Sequence, residues 1–402
     1  MLTYEAAVAR MLRATPQPRV ARVPLSRALR CVLASPVKAR VDAPPFDNSA
    51  VDGYAVRLAS GDAPAGGWHM IGESAAGHPF GGMVRAGDAV RILTGAPVPR
   101  GADTVLMQEH AARRDGRITP LRDPRHGQHI RRRGEDVGRG HCAVARGTLL
   151  RPQELGVLAS LGCADVPVYA PPSVAILSTG DELTPPGRAL RPGCIYESNG
   201  TLLSALVESC GARAVRLGIA PDESSALTAR IRRGLRHDVL LISGGVSVGD
   251  KDMVRRVLER CGVTPVLWRV NIKPGMPLYV GRRGRTLVFG LPGNPVSVFV
   301  TFEEFVRPSL WKLLGRTWRE RYVTPARLGE DLRLSVTRRT HFVRVRCVPR
   351  RGGLDVVPLS GQGSHQLSSA AAADGWLRIS DDEGPWRRGA SVLVKREREE
   401  VA

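Results

Sequence analysis

VAILSTGDEL (174–183), NGTLLSALVESC (199–210), VRLGI (215–219), DESSALTARIRRGLR (222–236), VLLISGGVSVGDKD (239–252) and DMVRRVLERC (252–261) succeed one another in the middle of the chain. Apolar strand-like runs at Val174–Leu177, Val215–Ile219 and Val239–Ile242 alternate with amphipathic helical stretches at Asn199–Cys210, Asp222–Arg236 and Asp252–Cys261. A strand that is apolar throughout has both faces covered, and strands separated by helix-length segments pair in parallel, so the expected unit is an α/β three-layer domain with a parallel sheet. Gly211 and Gly262 stand where helix C-caps are expected. A hairpin over Pro277–Phe289 and a helix from the loop at 291–295 to about Leu314 complete it.

The texture differs on either side. Residues 4–13 read as a helix capped by Thr3, with Tyr4, Ala7, Val8 and Met11 on one face. Between about 40 and 140, short β-like runs (Trp68–Ile71, Ala89–Leu93, Thr104–Gln108) alternate with Gly, Pro and Asp, the pattern of a β-rich unit. Pro152 opens a helix to about Leu161, and the Pro171-Pro172 pair continues neither regular element, marking a boundary. Past Trp318 short strands and turns return, a further β unit.

The chain has 402 residues, 43% of them hydrophobic and 24% charged, values that exclude wholesale disorder. No apolar run approaches the ~18 residues of a membrane span, the N-terminus lacks the apolar core of a signal peptide, and the seven dispersed cysteines never form Cys-x-x-Cys. A cytoplasmic location without membrane attachment is expected. The net charge of +21 raises the question of nucleic acid, but the basic residues are nearly all arginines spread along the chain rather than clustered, so no specific nucleic-acid face is expected.

Ligands of α/β units collect beyond the carboxyl ends of the strands, which directs attention to three loops. Ser178-Thr179-Gly180-Asp181-Glu182 places two carboxylates at one strand end. Ser243-Gly244-Gly245-Val246-Ser247-Val248-Gly249-Asp250-Lys251-Asp252 lets backbone N–H groups approach an anion ahead of a helix N-terminus. Leu291-Pro292-Gly293-Asn294-Pro295 is again a strand-to-helix loop. Asp181, Glu182, Asp222, Asp250 and Asp252 all fall on one expected edge, where unpaired carboxylates repel. A hard cation such as Mg2+, shared with a phosphate, relieves that repulsion. The expected ligand is therefore phosphorylated, a nucleotidyl compound among the candidates. Outside this unit, the stretches 44–57, 338–344 and 360–365 offer carboxylate, guanidinium and hydroxyl groups suited to a turn or to an oxyanion, and His341 and His365 lack metal-ligand spacing, reading as surface or supporting groups.

Eight stretches then match one family in order: PPFDNSAVDGYAVR (44–57), RILTGAPVPRGAD (91–103), RRRGEDV (131–137), ILSTGDEL (176–183), ISGGVSVGDKD (242–252), IKPGMP (272–277), LPGNPVS (291–297) and GQGSH (361–365). The chain resembles the molybdopterin molybdenumtransferases, the MoeA type to which the E domain of gephyrin is related. The resemblance implies a homodimer of four-domain subunits. These are a small linking domain (20–40 with 141–171), a β-rich domain (41–140), an α/β molybdopterin-binding domain (1–19 with 172–320) and a C-terminal β-barrel-like domain (321–402). It implies an active site between the α/β domain of one subunit and the C-terminal domain of the other. The implied reaction inserts molybdate into adenylylated molybdopterin and releases AMP, with Mg2+ required. Family positions fall on Asp52, Thr94, Asp136, Glu182, Asp222, Asp252, Lys273, Pro292, Pro295, Arg344 and Ser364. Asp181, Glu182, Asp222, Asp250 and Asp252 become the metal-holding set, and Gly244, Gly245 and Ser247 the cradle for the phosphoanhydride. Ser178, Thr179, Gly180 and the Pro292-Gly293-Asn294-Pro295 loop complete the binding surface, and Arg344, Ser364 and Lys273 face the molybdate oxygens. The molybdopterin adenylyltransferase and apo-molybdoenzymes are the implied protein partners. A related adenylyltransferase and a non-catalytic scaffold of the same fold are the alternative readings. Met276 departs from the family pattern, standing where many relatives carry a second lysine.

Overall fold

The structure, a computed structural model, describes residues 1–58, 63–245, 253–317, 321–334, 339–380 and 386–397. The chain forms two compact units: one of Arg22–Leu29 and Leu33–Pro167, the other of Met1–Ala21, Arg30–Val32 and Val168–Ala402. The division at Pro167 falls just ahead of the Pro171-Pro172 pair.

The first unit is built on a six-stranded sheet in the spatial order Thr104–Met107, Gly53–Val56, Asp88–Ile92, Trp68–Ser74, Arg117–Pro120, Ala111–Arg114. Trp68, fully buried, anchors its core with Val56, Ala89, Leu106 and Ile118. The helix expected from Pro152 runs over Pro152–Ser160 with proline in its first turn, where the missing N–H costs nothing.

In the second unit, α1 (Tyr4–Ala14) begins where Thr3 accepts the backbone N–H of Ala6, and it buries Tyr4, Ala7, Val8 and Met11 as its spacing requires. The sheet comprises β1 (Ser173–Thr179), β2 (Arg213–Ala220), β3 (Val239–Ser243), β4 (Thr264–Trp268), β5 (Tyr279–Arg283) and β6 (Thr286–Leu291), in the order β2-β1-β3-β6-β5-β4. The first four of that order are parallel. The hairpin then reverses β5, so the sheet is mixed at one side. Alternate residues sort onto two cores. Val174, Ile176, Val239 and Leu241 pack with α1 and α2 (Asn199–Ser209). Ala175, Leu177, Leu240 and Ile242 pack with α3 (Ser224–Gly234) and α4 (Met253–Arg260). Gly211 and Gly262 take the positive φ of helix C-termini, at 87° and 80°.

The single helix expected to reach Leu314 is in fact α5 (Pro295–Thr301), a π-helical turn over Phe302–Val306, and α6 (Arg307–Leu313). Pro308 has no N–H for the carbonyl four residues back and its ring crowds that carbonyl, and the wider turn accommodates both. The turn carries Glu303 and Glu304 inward, both buried. Glu303 meets Arg307 at 2.6 Å, Lys395 at 2.9 Å and also Arg321. Glu304 accepts the hydroxyls of Tyr4 at 2.7 Å and Tyr322 at 3.0 Å.

Strands β7 (Thr324–Leu328), β8 (Thr340–Arg350), β9 (Gly353–Pro358), β10 (Gly375–Ser380) and β11 (Ser391–Arg396) pair in the order β8-β9-β7-β11-β10, and β10 closes back onto β8, giving a five-stranded barrel. Val343, Val345, Val356, Leu377 and Val394 fill it. Closure removes the exposed edges an open sheet of this size would present. Ile272–Lys273 adds to β8 in parallel, with Lys273 paired to His341.

Candidate functional site

The carboxyl ends of β1, β3 and β6 open into a crevice of about 1090 Å³, whose other side is made by residues of the barrel segment of the same chain. Residues of the strand-end loops and of the barrel segment thus line one cavity. A cavity of this size takes a ligand larger than most single drug-sized molecules.

Each strand-end loop has a local cause. After β1, Gly180 adopts φ 144°, and a Cβ there would lie 2.4 Å from a carboxylate oxygen of Glu182, which folds back across it. After β3, Gly244 and Gly245 take φ 91° and 68°. A Cβ on Gly244 would meet the Thr179 carbonyl oxygen at 2.5 Å, so only glycine fits between the loops. After β6, Pro295 starts α5, Asn294 donates to Ser364 Oγ at 2.9 Å, and the Val296 N–H donates to the Ser364 carbonyl at 3.1 Å. The third loop thereby fixes the barrel's 360–366 segment against the sheet.

Thr179, Gly180, Glu182, Asp222, Gly244, Gly245, Lys273, Pro292, Gly293, Asn294, Pro295 and Ser364 all line the crevice. Ser247, Asp250 and Asp252 lie outside the described residues. Three expected residues are placed otherwise. Ser178 is buried beneath the crevice and donates to Glu197 at 2.9 Å. The carboxylate of Asp181 turns to the backbone and accepts the Asp222 N–H at 3.1 Å, so among the described residues the expected metal-holding set reduces at the crevice to Glu182 and Asp222. Among those residues no three Asp, Glu, His or Cys side chains converge as a metal-holding group. Desolvation first, then the charges of Asp181 and Glu182, raise the Asp222 carboxyl above the ordinary range.

Arg344, expected to face an oxyanion, does not line the crevice. Its side chain is 1% exposed and its guanidinium donates to the Gly363 carbonyl at 3.2 Å, to the Gln366 carbonyl at 3.4 Å and to Gln362 Oε1 at 3.4 Å. Burial lowers its pKa to about 10. The pattern of β8 explains the position: alternation turns Arg344 towards the 360–366 loop, which it holds in place. The cations at the crevice are instead Lys273, Arg333 and Arg339, with His341 and His365 beside them. Both histidines thus belong to the lining, and the pairing of Lys273 with His341 brings the two together. Met276 lines it too.

Among the lining residues not singled out in the sequence, Glu197 and Asn199 make the bonds that hold the strand ends together. Glu197, buried, accepts from Ser178 Oγ, from the Gly200 N–H at the start of α2 and from Arg216 at 2.8 Å. Asn199 donates to Ser243 Oγ at 2.8 Å and to the Gly293 carbonyl at 2.7 Å. Asn199 is the first residue of α2, and only the two polar side chains flanking Ser198 were available as a signal.

Asp52, Thr94 and Asp136 lie in the first unit. Asp52 accepts the Thr94 N–H at 2.7 Å and its hydroxyl at 2.6 Å, and these two bonds hold its carboxyl below the usual range. Asp47 accepts the Arg133 N–H and the Arg132 guanidinium, both at 2.8 Å, and the Asp136 N–H donates to the Ala43 carbonyl at 3.0 Å. Stretches 44–57, 91–103 and 131–137 are thereby joined. Because the Asp52 carboxyl is depressed, its bonds persist at neutral pH and fail as pH falls through the depressed value. Lower protection of the Thr94 amide, its exchange taken relative to the intrinsic rate at each pH, is the expected result both on acidification and in Asp52→Ala at neutral pH; equal protection in variant and wild type would contradict it.

Three family models cover most of the chain: the MoeA N-terminal region, domains I and II, over residues 2–162; a probable molybdopterin binding domain over 175–312; and the MoeA C-terminal region, domain IV, over 325–396. A molybdopterin molybdenumtransferase of Haemophilus influenzae is 36% identical over 98% of both chains. The chain belongs to the MoeA family of molybdopterin molybdenumtransferases. Molybdopterin molybdenumtransferase 2 of Mycobacterium tuberculosis is likewise 36% identical, over 97% of this chain and 98% of its own. A crystal structure of the molybdopterin biosynthesis MoeA protein from Pyrococcus horikoshii superposes with a TM-score of 0.82 at 30% identity, covering 99% of this chain and all of that one. This chain is accordingly a transferase.

Proposed function

We propose that the crevice inserts molybdate into adenylylated molybdopterin, releasing AMP and yielding the molybdenum cofactor. The observation that carries this reading is the opposition of charge across one cavity: Glu182 and Asp222 on the strand-end side, Lys273, Arg339 and His341 on the other. Molybdate is a tetrahedral dianion, and Lys273, His341 and the Ser364 hydroxyl are donors suited to its oxygens. The backbone of Gly244 and Gly245 suits the phosphoanhydride, whose cleavage needs positioning and charge neutralisation more than a covalent intermediate.

The donor set fits Mg2+ of the kind that takes one or two carboxylates and completes its shell with water and substrate phosphate. Glu182 and Asp222 would hold it, and it would supply charge neutralisation at the phosphates. The reading extends to a homodimer located in the cytoplasm, receiving its substrate from the adenylyltransferase and passing product to apo-molybdoenzymes. Among the described residues no helix is long and apolar enough to cross a membrane.

Purified protein given adenylylated molybdopterin, Mg2+ and molybdate is expected to release AMP. Lys273→Ala is expected to raise the molybdate concentration for half-maximal rate by roughly tenfold, the value of one charge-assisted contact. Arg344→Ala is expected to slow turnover by releasing the loop that carries Ser364. No AMP release by the wild type would refute the reading, and ATP-dependent adenylylation of free molybdopterin would replace it with the adenylyltransferase reading.

A further inference from the structure

Two side chains flanking Ser198 reach across the sheet beneath the crevice. Ser178 of β1, Ser243 of β3 and Leu291 of β6 stand side by side in register, each at the last or next-to-last residue of its strand. Strand alternation turns Ser178 and Ser243 to the face covered by α2, because Ile176 and Leu241, two residues earlier, pack there. On that face Glu197 accepts Ser178 Oγ at 2.9 Å, the Gly200 N–H that opens α2, and Arg216 of β2 at 2.8 Å. Asn199 donates to Ser243 Oγ at 2.8 Å and, in the loop after β6, to the Gly293 carbonyl at 2.7 Å. The parallel strands β2, β1 and β3 and the loop that leaves β6 are thereby tied to one three-residue segment.

The chemistry of these bonds holds the segment firmly. Glu197 is 2% exposed and its carboxylate meets three donors, in bonds roughly twice as strong as those between neutral groups. The Gly293 carbonyl can only accept, so the Asn199 amide is oriented with Nδ2 towards it, and both Nδ2 hydrogens are used. Ser243 Oγ passes its own hydrogen to the Pro292 carbonyl at 3.4 Å, which closes the link onto the same loop. The two loops so joined have different tasks in the proposed reaction. Gly244 and Gly245 follow Ser243, and Asn294, which follows Gly293, donates to Ser364 Oγ at 2.9 Å. The distance from the phosphoanhydride cradle to the Ser364 wall therefore runs through one amide.

We infer that Asn199, held by Glu197, is a positioning residue that sets the spacing between the loop receiving the phosphoanhydride and the wall facing molybdate. This rests on the reading of the crevice proposed above. Asn199 acts through the two loops and not on the substrate, so each loop keeps its own hold on its part of the substrate when the link is cut. What is lost is their mutual placement, on which the joint step of molybdate insertion and AMP release depends.

The test compares two variants of the full chain. Asn199→Asp keeps the size and the Oδ1 acceptor but cannot donate to the Gly293 carbonyl, and Asn199→Ala removes donor and acceptor together. Both are expected to lower kcat for AMP release by roughly a hundredfold, with the affinities for AMP alone and molybdate alone, measured by calorimetry, within about twofold of wild type. A second readout needs no turnover. The Gly244 N–H donates to the Leu291 carbonyl at 3.2 Å and the Val296 N–H to the Ser364 carbonyl at 3.1 Å, and both amides should lose exchange protection in either variant while β1 and β3 keep theirs. Full turnover in Asn199→Asp beside a slow Asn199→Ala would make Asn199 a substrate contact through Oδ1 and overturn the positioning role. A fall in AMP or molybdate affinity matching the fall in kcat, or unchanged exchange at both amides, would overturn it as well. AMP release by the wild type is scored separately. Its absence removes the proposed reaction, and exchange at Gly244 and Val296 then decides whether Asn199 sets the spacing of the loops; release by the wild type with full turnover in both variants removes the positioning role alone.

Discussion

Glu303→Gln is expected to lower the thermal unfolding midpoint by roughly 10 °C, the consequence of losing about 3–5 kcal/mol when one member of a buried ion cluster is neutralised. Glu303 is the shared anion for Arg307, Arg321 and Lys395, all poorly exposed, and without its charge three cations remain desolvated. Burial alone would raise its carboxyl, but Lys395, Arg307 and Arg321 outweigh that and hold it well below the usual range. A carboxylate depressed in the folded state stabilises fully above its unfolded value, about 4.3, and loses that contribution as pH falls towards the folded value. Wild-type stability should therefore decline on acidification below about pH 4, and in Glu303→Gln that decline should be shallower. Denaturation followed by tryptophan fluorescence across pH 3–7 checks both. Equal midpoints for the two proteins at pH 7 would show that the cluster contributes nothing net. Because Lys395 belongs to β11 and Arg307 to α6, the variant should also loosen the barrel's hold on the sheet.

Gly244→Ala is expected to reduce AMP release by roughly a hundredfold or more while leaving the protein folded, since displacements of about 1 Å at a site cost on that order. The added methyl would lie 2.5 Å from the Thr179 carbonyl oxygen, on a backbone with φ 91° that a side chain strains. Neither atom is the end of a flexible chain, so the whole β3 loop must shift away from β1. That shift moves the N–H groups proposed to receive the phosphoanhydride. The strain itself is on the order of 1–3 kcal/mol, which a domain with two extensive cores absorbs. Turnover measured beside circular dichroism separates the outcomes: full activity would mean that the loop's backbone plays no part in the reaction, and global unfolding would mean that it is structural. Gly156→Ala, in the Pro152–Ser160 helix and outside the crevice lining, is the control, because nothing lies within 4 Å of the added atom.

Much of the architecture was legible because burial imposes period on sequence. Apolar runs at 174–177 and 239–242 required cover on both faces, and the two cores supply it. Tyr4, Ala7, Val8 and Met11 repeat at helical spacing and all are buried. The glycines after β1 and β3, and Glu182 after β1, were also legible, since a strand end followed by Gly has few structural uses. The interruption at 302–306 was less so, because it depends on how Pro308 meets the carbonyl one turn back.

Local pattern and motif order by themselves determined the α/β sheet, the flanking β units, the MoeA relationship and the strand-end loops, because each is written within a few residues by periodicity, turn chemistry or spacing. Which side chains face the crevice was decided by tertiary structure alone. Arg344 read as an anion donor and is buried against the carbonyls of its own loop; His341 and His365 read as surface or supporting groups and line the cavity; Asn199 read only as the start of a helix and ties two loops across two strands. The physical reason is that a side chain's role depends on where its polar atoms end, and for these residues the partners lie tens to hundreds of positions away in the chain.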